Sequence, residues 1–160
     1  MLLLPYIEQQ PLFDEFRLTE PWDSEHNLRL LPRMPRTYAA PWTKIVAVPE
    51  HHTVLHVFVG PGAAFERCHG LRQRDDFPDG TANMLLYVES EPPVPWTMPG
   101  DIPFAPDQPI RLRGLFRRGC RAGTVDGTGY RLIRNDCDER VVRASVSRNG
   151  GEPETPAWDR

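Results

Sequence analysis

The stretch Arg121–Ile133, RAGTVDGTGYRLI, carries the strongest signal for local structure in this chain. At its centre is Asp126-Gly127, and an Asp-Gly pair between two strand-like runs is typical of a tight β-hairpin turn. If the turn centres on this pair, Cys120 on the first strand faces Ile133 on the second. Antiparallel sheet is therefore expected to dominate the second half of the chain.

The hairpin also bears on cysteine pairing. Cys137 lies four residues beyond Ile133, about 13 Å farther along the strand direction, whereas a disulfide requires Cα atoms within about 7 Å of each other. A bridge between Cys120 and Cys137 is not expected unless a bulge intervenes. With Cys68 the chain has three cysteines, an odd number without metal-type spacing, which does not predict a disulfide framework.

Short helical segments are predicted at the beginning of the chain. Residues 3–16 have apolar residues at helical spacing, which predicts the end of a helix followed by a short helical turn. A second short helix is predicted from an N-cap at Asp23 or Ser24 to a stop at Pro32. Two strands are then predicted at residues 53–60, TVLHVFVG, and at residues 84–89, MLLYVE.

A last helix is predicted near the end of the chain. The run Asp136–Glu139 resembles a capping box with aspartate as the cap, and Val142 and Val146 lie four residues apart on one face. Residues 149–151, Asn-Gly-Gly, are expected to supply a left-handed stop. The predicted fold class is α+β, with short N-terminal helices, an antiparallel β-sheet, long proline-rich loops and a C-terminal helix.

Composition sets the class of protein. The chain has 160 residues, of which 39% are hydrophobic, and it has 18 prolines, about twice the usual share. This predicts one globular domain over residues 1–152 with proline-stiffened loops, followed by a flexible tail at residues 153–160. No run approaches the roughly 18 apolar residues of a membrane span, so no membrane contact by the chain itself is expected.

Charge is unevenly distributed along the chain. Residues 1–110 hold 8 basic and 15 acidic side chains, a net charge of −7, whereas residues 111–148 hold 10 and 4, a net charge of +6. The whole chain is net acidic at −3, so no nucleic-acid binding is expected. The basic run is interpreted as a solvated or protein-binding face. Its members are Arg111, Arg113, Arg117, Arg118 and Arg121.

Five potential metal ligands lie between residues 51 and 69. These are His51, His52, His56, Cys68 and His69. The surrounding sequence is strand-like, and four residues of strand span about 13 Å, which is too far for His52 and His56 to bind one ion. They are interpreted as polar histidines at strand ends with His56 partly buried, and metal binding by this region is left open.

No catalytic or cofactor-binding residue is predicted. The Asp-Gly-Thr segments at 79–81 and 126–128 could offer oxygen ligands to calcium, but an Asp-Gly turn explains each of them. The chain has no nucleophile elbow, phosphate-binding glycine loop, C-x-x-C or H-E-x-x-H motif. The acidic residues at 75–76, Glu89 and Glu91 are not recognisable as a catalytic pair. A non-enzymatic protein without cofactors is expected.

The segment Val94–Phe104, VPWTMPGDIPF, has three prolines at intervals of four. The residue before each proline is pushed toward extended geometry, which predicts a semi-rigid strap that is neither helix nor strand. Trp96, Ile102 and Phe104 are expected to pack down on the sheet, with Asp101 free to bond nearby backbone amides. The segment is interpreted as a structural strap rather than as a ligand groove or a P-x-x-P recognition motif.

Several uncommon strings occur in a recognisable order. They are LLPYIEQQPLFDEF, EPWDSEHNLRLLPRMPRTY, FVGPGAAFE, DGTANMLLYVE, VPWTMPGDIPF, VDGTGYRLI and SRNGGE, and they span residues 2–152. In this order the chain resembles the globular part of the bacterial domain of unknown function 1559 family, whose members carry a prepilin-type N-terminal cleavage and methylation segment. The resemblance implies a pseudopilin-like protein of the cell envelope or cell exterior with an outward-facing α+β head, and it implies no catalytic residues.

The sequence departs from the family pattern at four places, one of which is residues 116–123, FRRGCRAG, where the family usually has a run of small residues. The prepilin segment is absent, so a chain that truly starts at Met1 is expected in the cytoplasm. Ala40-Pro41 stands where the family commonly has Cys-Pro, and the last turn reads Asp-Gly-Thr instead of Asp-Gly-Ser. The expected function is a head domain that binds other protein subunits or its own copies. The alternative is a stand-alone soluble module that binds a ligand or a metal.

Overall fold

A computed structural model describes residues 1–39, 47–66, 75–82, 84–105, 107–110, 112, 119–127, 130–134 and 137–150, with the backbone alone at 130–132. The chain forms two compact units. One is formed by Met1–Val54 and Pro92–Pro99, and the other by Leu55–Glu91 and Gly100–Arg160. A single domain over residues 1–152 stays a prediction, and the predicted tail at 153–160 lies outside the described residues.

Short helices follow one another at the beginning of the chain. They are a 3-10 helix at Leu4–Ile7, α1 at Gln10–Glu15, α2 at Glu25–Leu28, and 3-10 helices at Leu31–Arg33 and Arg36–Tyr38. Pro5, Pro11 and Pro32 each lie in the first turn of one of them, where the missing N–H would have had no helical partner. The predicted helix end is therefore a 3-10 helix, and the predicted short turn is α1.

The beginning of α2 is as predicted, but its end is not. Ser24 is the N-cap, and its Oγ accepts a hydrogen bond from the Asn27 N–H at 3.2 Å. The prediction that this helix continues to Pro32 is wrong, because α2 ends at Leu28. Pro32 does not stop a helix here; it lies in the first turn of the next 3-10 helix, where proline is tolerated.

Six strands are found among the described residues. They are β1 at His52–His56, β2 at Phe58–Val59, β3 at Leu85–Pro95, β4 at Ile102–Pro103, β5 at Gly119–Thr124 and β6 at Tyr130–Arg134. Four of them form an antiparallel sheet in the order β1-β3-β5-β6. The predicted hairpin is confirmed, since β5 pairs with β6 and Cys120 lies opposite Ile133. The coarse α+β class is confirmed with it.

The prolines of the Val94–Phe104 segment do not keep it out of strands. Pro95 is the last residue of β3, and Pro103 lies in β4, which pairs in parallel with β2. The β2–β4 bonds come from the N–H groups of Ile102 and Phe104, at 2.8 Å each, so Pro103 has no donor to lose. The prediction of a strap without strand structure is therefore wrong at both of its ends.

The predicted strand at residues 53–60 is interrupted at Val57. Its first part is β1 in the four-stranded sheet, and its second part is β2 in the two-stranded sheet. The carbonyl of Val57 accepts the Ile102 N–H. The predicted strand at 84–89 is present and extends beyond its expected end to Pro95.

The C-terminal helix, α3 at Glu139–Val146, is shorter than predicted at both ends. Its N-cap is Asp138, whose Oδ1 accepts the Arg140 N–H at 2.8 Å, and the proposed cap at Asp136 is therefore wrong. The helix ends with Ser147 in extended geometry, before the expected stop at residues 149–151. Its predicted apolar face is confirmed, since Val142 and Val146 are buried.

Each unit has its own apolar core. The core of the first unit contains Leu4, Leu12, Phe16, Leu30 and Trp96. The core of the second unit lies between the sheet and α3 and contains Phe58, Ala63, Leu85, Val88, Phe104, Cys120, Ala122, Ile133, Val142 and Val146. Burial of these side chains, at about 25 cal/mol per Å² of apolar surface, is the main source of stability in both units.

Candidate functional site

The first turn of the chain presents apolar side chains to solvent. Leu2, Leu3 and Tyr6 are 71%, 58% and 86% exposed, whereas Leu4 between them is fully buried in the first core. The Tyr6 N–H donates to the carbonyl of Leu3 at 3.0 Å, so these residues lie one helical turn apart. We call Leu2, Leu3 and Tyr6 the apolar turn. Grouped exposed apolar residues are typical of interaction surfaces.

The apolar turn has a defined backbone. Pro5 lies in the first turn of the 3-10 helix and fixes its own φ. Glu8 ends the helix with a φ of 62°, in the left-handed region that residues other than glycine adopt uncommonly. The Gln9 N–H then bonds back to the carbonyl of Leu4 at 3.0 Å. The three exposed side chains are therefore carried by a turn that is closed at both ends.

Trp96 does not pack as the sequence predicted. It was expected on the sheet with Ile102 and Phe104, but its indole N–H donates to the carbonyl of Leu31 at 2.9 Å. The ring of Phe16 meets it edge-on at 5.8 Å between centroids, and the ring of Tyr38 lies at 5.4 Å. Trp96 is therefore the aromatic centre of the first core. The expectation holds for Ile102 and Phe104, which pack in the second core.

The three described histidines of the predicted ligand group have backbone partners or turn geometry. Nδ1 of His52 donates to the carbonyl of Glu50 at 2.7 Å, and His51 has a φ of 58°. Nδ1 of His56 donates to the carbonyl of Gly100, and its buried Nε2 has no hydrogen-bond partner among the described residues. His56 is more deeply buried than predicted, at 5% exposure.

The remaining potential ligands, Cys68 and His69, lie outside the described residues. Within the part of the chain that the structure describes, no three histidine, cysteine, aspartate or glutamate side chains are grouped to hold a metal ion. Metal binding by the region of His51, His52 and His56 therefore stays untested.

The two Asp-Gly turns are found where they were predicted. Gly80 and Gly127 have φ values of 89° and 72°, the left-handed geometry that glycine accepts without strain. Thr124 donates its hydroxyl to Asp126 Oδ1 at 2.7 Å, which closes the second turn. The Asp126 N–H also reaches the carbonyl of Thr81 at 3.4 Å, so the two turns are neighbours.

The acidic residues considered in the sequence, at 75–76, 89 and 91, differ in their surroundings. Glu89 is 2% exposed, whereas Glu91, two residues along β3, is exposed to solvent. Of the adjacent aspartates at 75–76, Asp76 uses its backbone carbonyl to accept a hydrogen bond from Arg148 at 3.3 Å.

Most of the basic run lies outside the described residues, which include Arg121 alone of its five arginines.

A cavity in the second unit is lined by two cysteines. It has a volume of about 350 Å³ and is lined by Ile110, Leu112, Cys120, Ile133, Arg134, Cys137, Glu139 and Val142. Burial, with a smaller contribution from the charge of Glu89, raises the pKa of the Cys120 thiol to about 11. Cys120 therefore stays protonated at neutral pH.

The sequence did not predict this cavity, because Cys137 was placed on a straight continuation of β6. The Cys137 N–H instead donates to the carbonyl of Arg134 at 3.0 Å, so the chain turns directly after the strand. Residues 135–136, Asn-Asp, are a pair that favours turns, and they were the signal that could have indicated it. Cys137 consequently packs against the second core, to which Cys120 belongs.

No protein-family model matches the chain, and no curated protein or solved structure matches it either. The resemblance to the prepilin-type family therefore stays a prediction. None of the helices among the described residues is both long enough and apolar enough to cross a membrane.

Proposed function

We propose that this chain is a non-enzymatic, pseudopilin-like head domain that binds its own copies or other protein subunits through the apolar turn. The observation that carries the proposal is the exposure of Leu2, Leu3 and Tyr6 on a turn that the buried Leu4 anchors. Removing apolar surface from water is the dominant favourable term in most protein association. An apolar turn held by the core is suited to that role.

Two further features support a pilin-like head in the cell envelope or at the cell exterior. The order of short helices, antiparallel sheet and C-terminal helix is compatible with such a head. The charge difference between residues 1–110 and residues 111–148 would let neighbouring copies attract each other. Exposed ion pairs are individually worth less than about 1 kcal/mol, so charge is expected to assist the apolar contact rather than replace it.

Sedimentation velocity over a range of protein concentrations tests the proposal. The parent chain is expected to show a sedimentation coefficient that rises with concentration, and the variant Leu2→Ser/Leu3→Ser/Tyr6→Ser is expected to stay monomeric. The matched control is Leu18→Ser/Leu28→Ser, which removes two exposed leucines of the same unit, at 52% and 42% exposure, outside the apolar turn. Equal association of all three proteins would contradict a role for the apolar turn.

Salt separates the two contributions. The apolar contact should persist at about 500 mM salt, where the Debye length is a few Å, while the charge contribution should be seen only near 20 mM. Sedimentation that is the same at both concentrations would remove charge attraction from the proposal. A parent chain that is monomeric under all conditions would remove self-association, and other subunits would then be the partners to test.

A stand-alone ligand-binding module is the alternative, and the cavity beside Cys120 favours it. Its volume of about 350 Å³ is at the lower end of the range for small-molecule sites. Mass spectrometry of the intact chain under native and denaturing conditions would show a small molecule that is released on unfolding. Val142→Trp, which fills the cavity from α3, should abolish that binding. Elemental analysis of untagged protein tests the metal-binding form of this alternative.

A further inference from the structure

Two thiols line one cavity of the second unit. Cys120 is on β5, opposite Ile133, and Cys137 follows the turn that ends β6. Both border the same space of about 350 Å³, together with Ile110, Leu112 and Val142. A disulfide between them requires Cα atoms about 4.4–6.8 Å apart. The two thiols therefore border one space, across which such a bond would form.

The two thiols differ in their access to solvent. Cys120 is 2% exposed, while Cys137 is only partly buried and donates a weak hydrogen bond to the carbonyl of Asp138, with its sulfur at 3.7 Å. The thiolate is the reacting form in thiol–disulfide exchange, and its reaction requires access. Cys137 is thus the thiol that a reagent from solvent reaches first, and Cys120 is placed to react second.

We propose that Cys120 and Cys137 are a redox-active pair that a low-molecular-weight disulfide, such as oxidised glutathione, converts to an intramolecular disulfide. This inference goes beyond the proposed function and is independent of it. Such a bond would join β5 to the segment before α3. It would lie at the wall of the cavity that Cys120 and Cys137 line.

The reaction consists of two balanced exchange steps. The Cys137 thiol loses its proton to solvent, and the thiolate attacks one sulfur of oxidised glutathione, which releases one glutathione thiolate and leaves a mixed disulfide. Cys120 then loses its proton and attacks the sulfur of Cys137, which releases the second glutathione. The protein loses two protons and two electrons, and one glutathione disulfide takes them up to become two thiols. Reduced glutathione reverses both steps.

The second step is the slow one. Burial keeps Cys120 protonated at neutral pH, so few molecules have the attacking thiolate at any moment. The rate of closure should rise with pH between about 7 and 9, roughly tenfold per pH unit, since the thiolate fraction rises in that proportion below the pKa.

The test uses the full chain with Cys68→Ser, so that Cys120 and Cys137 are its only thiols. The folded protein is incubated with mixtures of oxidised and reduced glutathione, quenched in acid, treated with N-ethylmaleimide and weighed by mass spectrometry. We expect a product that has lost two hydrogens and takes up no maleimide, with the peptides of Cys120 and Cys137 linked in a digest. Dithiothreitol should restore the parent mass.

Two variants of the Cys68→Ser protein act as controls. Adding Cys120→Ala should stop the reaction at a mixed disulfide on Cys137, and adding Cys137→Ala should leave Cys120 unmodified in the folded protein. The equilibrium constant for closure should be at least about tenfold larger in the folded chain than in guanidinium, because folding brings the thiols together.

Three outcomes would overturn the proposal. The Cys68→Ser protein could accumulate the same mixed disulfide as the Cys120→Ala variant, which would show that Cys120 cannot reach Cys137. Both thiols could remain unmodified while circular dichroism shows a folded chain. The equilibrium constant for forming the disulfide could also be no larger in the folded chain than in guanidinium. This comparison uses the Cys68→Ser protein alone and needs no substitution at Cys120 or Cys137.

Discussion

The two units of this protein bury apolar surface in different ways. The first unit surrounds Trp96 with helices of three to six residues, whereas the second packs α3 against a hairpin of five- and six-residue strands. Isolated helices shorter than about 12 residues are marginal in water. The secondary structure of the first unit therefore depends on its core, while the second unit also has a ladder of backbone hydrogen bonds.

In the first unit, a buried polar side chain forms hydrogen bonds with the backbone between two helices. The side chain of Asn27 is 1% exposed and accepts the Arg17 N–H at 3.0 Å. Its amide donates to the carbonyls of Arg17 and Pro21 at 3.2 Å and 2.9 Å. These bonds satisfy the buried side chain of Asn27, which would be costly to leave unpaired, and fix the connection between α1 and α2.

Arginines hold the loops of the second unit in a comparable way. Arg143 on α3 donates to the carbonyl of Ala105 at 2.8 Å and to that of Gln108, and its guanidinium lies over the ring of Phe104. Arg148 donates to the carboxylate of Glu66. In both units, side chains replace absent ladder bonds, but in the second unit they act on loops around an existing sheet.

Trp96→Ala should have the largest effect, because it removes the centre of the first core. The expected loss is about 3–5 kcal/mol in the free energy of unfolding, measured by urea denaturation. Trp96→Phe keeps a ring against Phe16 and Tyr38 but loses the hydrogen bond to Leu31, so it should cost less. If Trp96→Ala instead lost under about 1 kcal/mol and impaired binding, Trp96 would have a binding role rather than a structural one.

Gly119→Ala should have the next largest effect, because it acts on the ladder of the second unit. A Cβ at this position would lie 1.9 Å from the carbonyl oxygen of Ile133, and the φ of 147° is strained for any other residue. We expect a loss of about 2–3 kcal/mol. The matched control is Gly127→Ala, where φ is 72° and no atom lies within 4 Å of the added Cβ.

Gly127→Ala should cost about 1 kcal/mol, the strain of a left-handed alanine without a clash. Thermal and urea unfolding of the two variants would measure the difference directly. Equal losses would mean that the close approach of β5 to β6 at Gly119 does not constrain the hairpin. The comparison therefore separates backbone strain from steric contact within one hairpin.

The features that were predicted correctly are local. The Cys120–Ile133 register follows from the Asp-Gly turn, and the buried face of α3 follows from the four-residue spacing of Val142 and Val146. Each depends on residues within about one turn or one hairpin of each other. Short-range geometry is enough to determine them.

The features that were missed depend on residues far apart in the sequence. The interruption at Val57 depends on pairing with Ile102, and the position of Trp96 depends on Phe16, Leu31 and Tyr38. The cavity needs the turn after β6 together with the approach of Ile110 to α3, where its N–H donates to Glu139 at 3.1 Å. Local propensity carries no information about such contacts.

The last comparison concerns one weakly acidic side chain from each unit, Cys120 and the partly buried Tyr38, as the pH is raised. Burial raises the pKa of both Cys120 and Tyr38, so the folded chain holds each proton more tightly than the unfolded chain does. The resulting stabilisation is complete below the ordinary pKa of each group and is lost as the pH rises through the higher folded value. For Cys120 the window therefore extends from the ordinary thiol value to about pH 11.

Urea denaturation at pH 7 and near pH 10.5 measures this loss. The parent should lose about 1–2 kcal/mol more than Cys120→Ala over this range, because the alanine variant has no thiol to ionise. Tyr38→Phe should reduce the loss less than Cys120→Ala does, since an ordinary tyrosine ionises near pH 10 and its window has only begun at pH 10.5. If Tyr38→Phe flattened the profile and Cys120→Ala did not, the first core rather than the second would limit stability at high pH.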